Sequence, residues 1–229
     1  MSWEQRPVVA LVPARGGSVG IPRKNLRVVR GKPLVVHTVE AALASNVIDH
    51  VYLSSDDSEI LALGRTLGVE TIERSPALAS NSATAAEVVT DFIARLPVEL
   101  ADADPYLVYL QPTSPLRTAE HIDAVFAELQ AQRGSFGLSV KRMKDTPYKA
   151  FILSQDGRLQ ALFDAKLTNA NRQSLPEVYY PNGAIYVFPI SEFRAHGGFP
   201  SNGGVAYVMS EQASLDIDSE SDLAMMELR

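Results

Sequence analysis

The chain contains no cysteine. That excludes disulfide scaffolds, zinc–thiolate sites, iron–sulfur clusters and cysteine nucleophiles. Histidine is scarce: the four residues, at 37, 50, 121 and 196, lie far apart without HExxH-like spacing, so a histidine-rich zinc site is not expected. No apolar run approaches the ~18 residues of a membrane-spanning helix. The opening stretch has no apolar h-region, so a secretory leader is not expected and a soluble, cytoplasmic protein is. Positive charge is not in excess: 21 Lys and Arg stand against 27 Asp and Glu, a net charge of −6. No global basic field exists to hold nucleic acid or an anionic membrane, although a local basic pocket remains open. Gly and Pro number 14 each in 229 residues, which excludes collagen-like and low-complexity chains. Internal repeats are absent.

What is present fits one large globular domain: 46% hydrophobic and 21% charged residues. Residues 8–12 form a wholly apolar, β-branched-rich run that reads as a strand buried on both faces, as in a parallel sheet. Further strands are expected at 47–54, 69–72 and 106–110. Between them, helical spacing marks residues 34–43, 58–67, 82–96 and 118–132, with Gly68 placed to end the second. This alternation predicts an α/β fold, a doubly wound, mostly parallel, Rossmann-like sheet. After residue 135 the pattern changes. Strands are expected at 136–141, 184–188 and 205–209, and a terminal helix from about Ser219, where Ser219 and Asp222 have helix-start spacing. Residues 142–181 read as an irregular inserted lobe of the single domain.

Ligands on such sheets sit beyond the carboxyl ends of the strands. Two polar loops are there. The loop at residues 13–25 carries Gly16, Gly17 and Gly20, which let backbone N–H groups approach a ligand, together with Arg15, Arg23 and Lys24. That combination suits a triphosphate or another polyanion, although it is neither a Walker A loop nor GxGxxG. A solvated glycine-rich turn with surface cations is the competing explanation. The loop at residues 111–117 offers Gln111, Thr113 and Ser114 as neutral groups able to read hydroxyls, or is a stiff connection. Asp216 and Asp218 flank Ile217, so on a strand both carboxylates share one face, an arrangement that suits Mg²⁺ completed by waters and phosphates. A pair of exposed acids ahead of a helix explains them equally. Asn182-Gly183 is a turn signal, with Asn182 and Tyr186 as candidate ligand contacts. Asp56 and Asp57 could bind metal or ribose, or cap a helix.

Taken together, Ala14–Ser18 with Gly20–Asn25, the 110–117 segment, Asn182–Tyr186 and Asp216–Asp218 resemble the acylneuraminate cytidylyltransferases, in that family's order and over nearly the whole chain. The resemblance implies transfer of CMP from CTP to the anomeric hydroxyl of a nonulosonic, sialic-type acid, with release of pyrophosphate. It implies Mg²⁺ on Asp216 and Asp218, with Arg15 and Lys24 stabilising the phosphoryl charge. It assigns nucleotide contacts to Arg15, Gly16, Gly17, Ser18, Lys24, Asn25 and Arg74, with Ala79 and Ser80 near the base. Sugar contacts fall on Gln111, Thr113, Ser114, Asn182 and Tyr186. It further implies a homodimer, in which the lobe brings Lys149 and Arg172 to the sugar's carboxylate and the phosphates of the partner's site.

Two departures stand out. Val19 replaces a frequent Lys, with Arg23 as a potential substitute, and Tyr180 replaces a frequent Arg. Another sugar nucleotidyltransferase, of Kdo type or using a different NTP, and a nucleotide-binding homologue with weakened catalysis are the remaining readings.

Overall fold

The computed structural model describes residue 3 and residues 5–227, so part of the opening stretch discussed above lies outside the described residues. The buried apolar run becomes β1 (Val8–Pro13), the centre of the main sheet. Next to it lie β4 (His50–Ser55) and β6 (Tyr106–Tyr109), both parallel to β1, and β5 (Glu70–Glu73) extends the sheet beyond β4. The other half comprises β7 (Gly137–Arg142), β10 (Tyr179–Pro189) and β11 (Val205–Val208). The order is β11-β7-β10-β6-β1-β4-β5, and β10 alone runs antiparallel to its neighbours.

Alternation along β1 explains why every residue in it is apolar. Val8, Ala10 and Val12 face one core with α1 (Leu34–Leu43), α2 (Ser58–Thr66) and α5 (Ala119–Gln132). Val9 and Leu11 face the opposite core with α3 (Ala85–Arg95) and α7 (Ile190–His196). Helices therefore cover both faces, as the alternation predicts. The chain builds β1, β4 and β5 outward in one direction and then returns to place β6 on the other side of β1. This reversal is a switch point, and it sets the loops after β1 and β6 side by side.

Several elements differ from expectation. Thr84 caps α3 in a reciprocal box with Glu87, so that helix starts later than residue 82. A small hairpin, β2 (Val28–Val29) and β3 (Lys32–Pro33), turns through left-handed Arg30 and Gly31. Helices α4 (Val98–Asp102) and α7 were not anticipated. The expected irregular lobe contains a hairpin of β8 (Phe151–Leu153) and β9 (Leu159–Ala161), followed by α6 (Ala165–Thr168). The terminal helix α8 (Glu220–Glu227) starts where predicted, and Asp222 accepts hydrogen bonds from the Ser219 N–H and hydroxyl. Among the described residues no helix is long and apolar enough to cross a membrane.

β10 is twice the length of the predicted strand because it continues beyond a register shift between Pro181 and Tyr186. Asn182 holds that irregularity together. Its Oδ1 accepts from Ser139 Oγ at 2.6 Å, and its Nδ2 donates to Ser214 Oγ at 2.9 Å. Ser139 Oγ in turn accepts from the Ile185 N–H at 2.9 Å. Removing one member of a buried polar network leaves the others unsatisfied. Asn182→Ala is therefore expected to destabilise the protein by about 2–3 kcal/mol, measured by urea unfolding. An unchanged midpoint would show that the network does not hold the bulge.

Candidate functional site

The loop after β1 is pinned from three sides. The Gly16 N–H donates to Asp56 Oδ1 at 2.9 Å, and a Cβ on Gly16 would lie 2.8 Å from the Asp57 side chain. The buried Asn25 donates through Nδ2 to the Arg15 carbonyl at 2.8 Å. Asp57 caps α2 by accepting from the Glu59 and Ile60 N–H groups. Burial alone would raise the Asp57 carboxyl, but those two bonds and the Arg23 guanidinium outweigh it and hold the group below its ordinary range.

The acidic segment docks under this loop. Residues 213–218 form no strand, yet the expected alternation survives: Ile217 is buried and the acids flank it. Ile217 packs with Ile21, Val29 and Leu34, and with Leu223 and Met226 of α8. Its N–H donates to the Thr113 carbonyl at 2.8 Å. Lys24 Nζ donates to the Ile217 carbonyl at 2.7 Å and pairs with Asp218 at 3.0 Å. Gly20 passes so close that a Cβ there would lie 2.5 Å from the Asp218 carbonyl.

A cleft of ≈ 280 Å³ opens between the loops after β1 and β6. Of the predicted residues, Arg15, Gly17, Ser18, Lys24, Asn25, Arg74, Ser80, Gln111 and Thr113 line it. Among the described residues the Gly17 and Ser18 N–H groups have no internal acceptor, so they are free to meet phosphate oxygens. Arg15 donates to the Ser80 carbonyl at 3.1 Å. Arg74 is buried, held by Ser54, and its guanidinium is lowered mainly by that burial.

A second pocket of ≈ 280 Å³ adjoins it, with Gln111 in both walls. Tyr180, Asn182, Gly183, Tyr186, Lys141 and Asp216 complete this wall. Gly183 has a φ of +77°, which favours glycine, and a Cβ there would lie 2.9 Å from Gln111 Oε1, so a larger residue would also shift that amide. Asp216 is the acid of the site whose carboxyl is raised. Burial raises its carboxyl above the ordinary range and Asp218 adds to this, while Thr113, Lys24 and Lys141 oppose the shift. Asp216 Oδ1 is buried without a hydrogen-bond partner. A buried oxygen lacking a donor, beside a second carboxylate, fits a hard divalent cation, with phosphates and water supplying the remaining oxygens.

Other expected residues lie elsewhere. Ala79 ends a short 3-10 turn and stays out of the cleft wall, which takes Leu78 and Ser80 instead. Gly16 serves packing against Asp57 rather than lining the cleft. Ser114 is fully enclosed, and the Asn182 carboxamide is committed to Ser139 and Ser214, so neither side chain is presented as sequence reasoning expected. Arg172 lines a separate cavity of ≈ 530 Å³ at the lobe's base, and Lys149 sits in a 3-10 turn outside the cavities described. Arg23 turns away to Asp57 and Glu59, at 3.0 and 2.9 Å, so it does not replace the charge missing at Val19, which is 77% exposed.

Sequence reasoning missed Tyr109, Asn81, Thr84 and Lys141 in the walls. Tyr109 precedes Gln111 by two, and period-two alternation could have placed it on the same face. Its hydroxyl is pushed up to about 12 by burial.

A family model described as cytidylyltransferase matches residues 9–193. The chain belongs to the cytidylyltransferase family. Among its relatives, the N-acylneuraminate cytidylyltransferase of Streptococcus agalactiae serotype V is 30% identical over 93% of this chain and 51% of its own length. That of Escherichia coli O18:K1:H7 is 31% identical over 95% and 51%. The pseudaminic acid cytidylyltransferase of Campylobacter jejuni is 28% identical over 94% and 92%. The chain thus spans about half the length of the first curated relatives it matches. A solved CMP:2-keto-3-deoxy-manno-octonic acid synthetase complexed with CTP superposes with a TM-score of 0.70 at 14% identity, covering 97% of each chain, which identifies the fold.

Two outcomes follow for this member of the family. Gly20→Ala should cost about 1–3 kcal/mol, because its Cβ meets backbone, whereas Gly17→Ala, with open space around it, should match the parent in a thermal melt. Asp57→Ala should lose about 1 kcal/mol near neutral pH. A depressed carboxyl stabilises fully above its ordinary value of 3.8 and loses that contribution as pH falls through the folded value. The gap between parent and variant in urea should therefore narrow in acid, and a constant gap would contradict the assignment.

Proposed function

We propose that this protein transfers CMP from CTP to the anomeric hydroxyl of a nonulosonic, sialic-type acid and releases pyrophosphate. The observation that carries this reading is the docking of Asp216–Asp218 against the glycine-rich cationic loop, beside a cleft that shares Gln111 with a second pocket. The names of the relatives, which act on acylneuraminate and pseudaminic acid, support the acid class.

In this reading the triphosphate lies along Gly17 and Ser18, whose N–H groups donate to its oxygens. Arg15 and Lys24 offset the charge that grows on the phosphoryl oxygens. Asn25 keeps the Arg15 backbone in place. The cytidine half extends toward Arg74 and Ser80. The sugar acid occupies the second pocket against Gln111 and Tyr186. A new bond forms from the anomeric oxygen to the α-phosphorus, the hydroxyl proton passing to solvent, as the bond from that phosphorus to the β-phosphate's bridging oxygen breaks and pyrophosphate leaves. Mg²⁺ held by Asp216 and Asp218 would supply Lewis-acid stabilisation of the phosphates.

The lobe supports a homodimer. Phe151, Ile152, Leu153 and Leu159 are exposed on the β8–β9 hairpin, apolar surface that a partner would cover. Lys149 and Arg172 would then reach the carboxylate and phosphates of the partner's site. The cysteine-free sequence suits a reducing cytoplasm. A weakened homologue is the second reading. It rests on the uncompensated Val19, and it requires CTP binding without turnover across every acid.

Purified protein with CTP and a panel of N-acetylneuraminic, legionaminic, pseudaminic and Kdo acids should release pyrophosphate with at least one nonulosonic acid, and EDTA should stop it. Asp218→Ala should lower the rate by about 10²–10³-fold. Asp216→Asn should lose turnover yet melt higher than the parent in EDTA, because it removes a carboxylate that burial disfavours. Turnover indifferent to EDTA would refute the metal role, and turnover only with Kdo would refute the acid class.

A further inference from the structure

The acid pocket contains a cation that no motif includes. Lys141 lies in its wall together with Gln111, Tyr180, Tyr186 and Asp216. It is the only cation in that wall among the described residues. Its neighbours along and beyond β7 are neutralised: Arg142 pairs with Glu177, and Lys144 with Glu211. The Lys141 side chain makes no ion pair or hydrogen bond among the described residues. It is the direct register partner of Tyr180 across the β7–β10 ladder, so the two side chains stand on one face of the sheet.

Position matters as much as charge. In a 2-keto sugar acid the carboxylate is bonded to the anomeric carbon itself, the carbon that carries the attacking hydroxyl. Its binding cation must therefore sit within a few bond lengths of the reacting phosphate, beside the acidic segment. Lys141 meets that condition, since it lines the same pocket as Asp216. Lys141 also reaches the neighbouring cavity that Arg172 lines, but Arg172 does not reach the pocket of Gln111 and Asp216 and would serve the partner's site.

We propose that Lys141 binds the carboxylate of the sugar acid and makes the pocket selective for acids over neutral sugars. This rests on the nonulosonic acid reading above. A charge-assisted contact of this kind is worth about ten- to hundred-fold in affinity. Using the panel acid with the fastest turnover, Lys141→Gln should raise its KM by about that factor and leave the KM for CTP unchanged. Lys141→Arg should restore most of the loss. Lys144→Gln, which removes a charge from the adjacent cavity, should match the parent. In EDTA, calorimetry should show Lys141→Gln weakening the CMP-sugar product and leaving CMP binding unchanged. The parent enzyme should also discriminate against the acid's 1-carboxamide, a comparison that needs no variant to fold.

An unchanged acid KM in folded Lys141→Gln, an equal rise in the KM for CTP, or equal use of acid and carboxamide by the parent would overturn the proposal. If the parent transfers CMP to no acid in the panel, the proposed function fails and the assignment of Lys141 fails with it. Turnover by the parent with a null result at Lys141 sinks the assignment alone.

Discussion

Ile21 and Ile217 come from opposite ends of the chain and meet in a small cluster separate from the two main cores. That contact sets the geometry of the site. Asp216 and Asp218 lie on a segment with no sheet ladder to fix its register. What orients them is Ile217 inserted between Ile21 and Leu34, with one hydrogen bond to Thr113 and one from Lys24. A strand would have fixed both carboxylates by pleat alone. Here a buried side chain does it, so hydrophobic packing at Ile217 determines where two charged neighbours point. Gly20 is the counterpart on the other side, because only a residue without Cβ allows the loop to come this close.

The second constraint is a buried cation that touches no ligand pocket. Arg117 is 2% exposed, and its guanidinium is lowered to about 9 by burial. Its Nη1 donates to the Gln111 carbonyl at 3.1 Å and the Ala184 carbonyl at 3.0 Å. It thereby ties the loop after β6 to the bulged part of β10. Gln111 and Gly183 are in contact because of this tie and the Asn182 network next to it. The wall shared by the two pockets is therefore set in part by Arg117, which lines neither of them.

The parts of this arrangement visible in the sequence are those set locally. Residues 8–12 announced a doubly covered strand because no polar residue interrupts them. The two loops followed from strand ends, and the spacing of Asp216 and Asp218 was readable without coordinates. The parts that stayed hidden depend on partners distant in sequence. Nothing near Arg23 shows that Asp57 and Glu59 neutralise it. Nothing in Asn182-Gly183 shows that Ser139 and Ser214 occupy the carboxamide. Ser114 looks like a ligand hydroxyl in its motif and is enclosed in the fold. The antiparallel β10 was cut short in the reading because a bulge breaks period-two alternation at the point where the strand continues.

A net charge of −6 opposes the polyanionic substrate of the proposed reaction. The structure resolves this by sorting its cations. Arg23, Arg27, Lys32, Arg142 and Lys144 each face a carboxylate within ion-pair distance, mostly on exposed surface. Such pairs contribute little to stability, but they cancel field where binding is not wanted. Arg15, Arg74 and Lys141 line the two pockets without an ion-pair partner among the described residues. Lys24 faces one acid, Asp218, at the point where the chain ends converge. The two walls thus hold four cations, Arg15, Lys24, Arg74 and Lys141, and one carboxylate, Asp216, the reverse of the molecule's balance. In the proposed function, this local excess of positive charge is what would hold the negatively charged ligands. Specificity for an anion then follows from where the carboxylates are absent as much as from where the cations are.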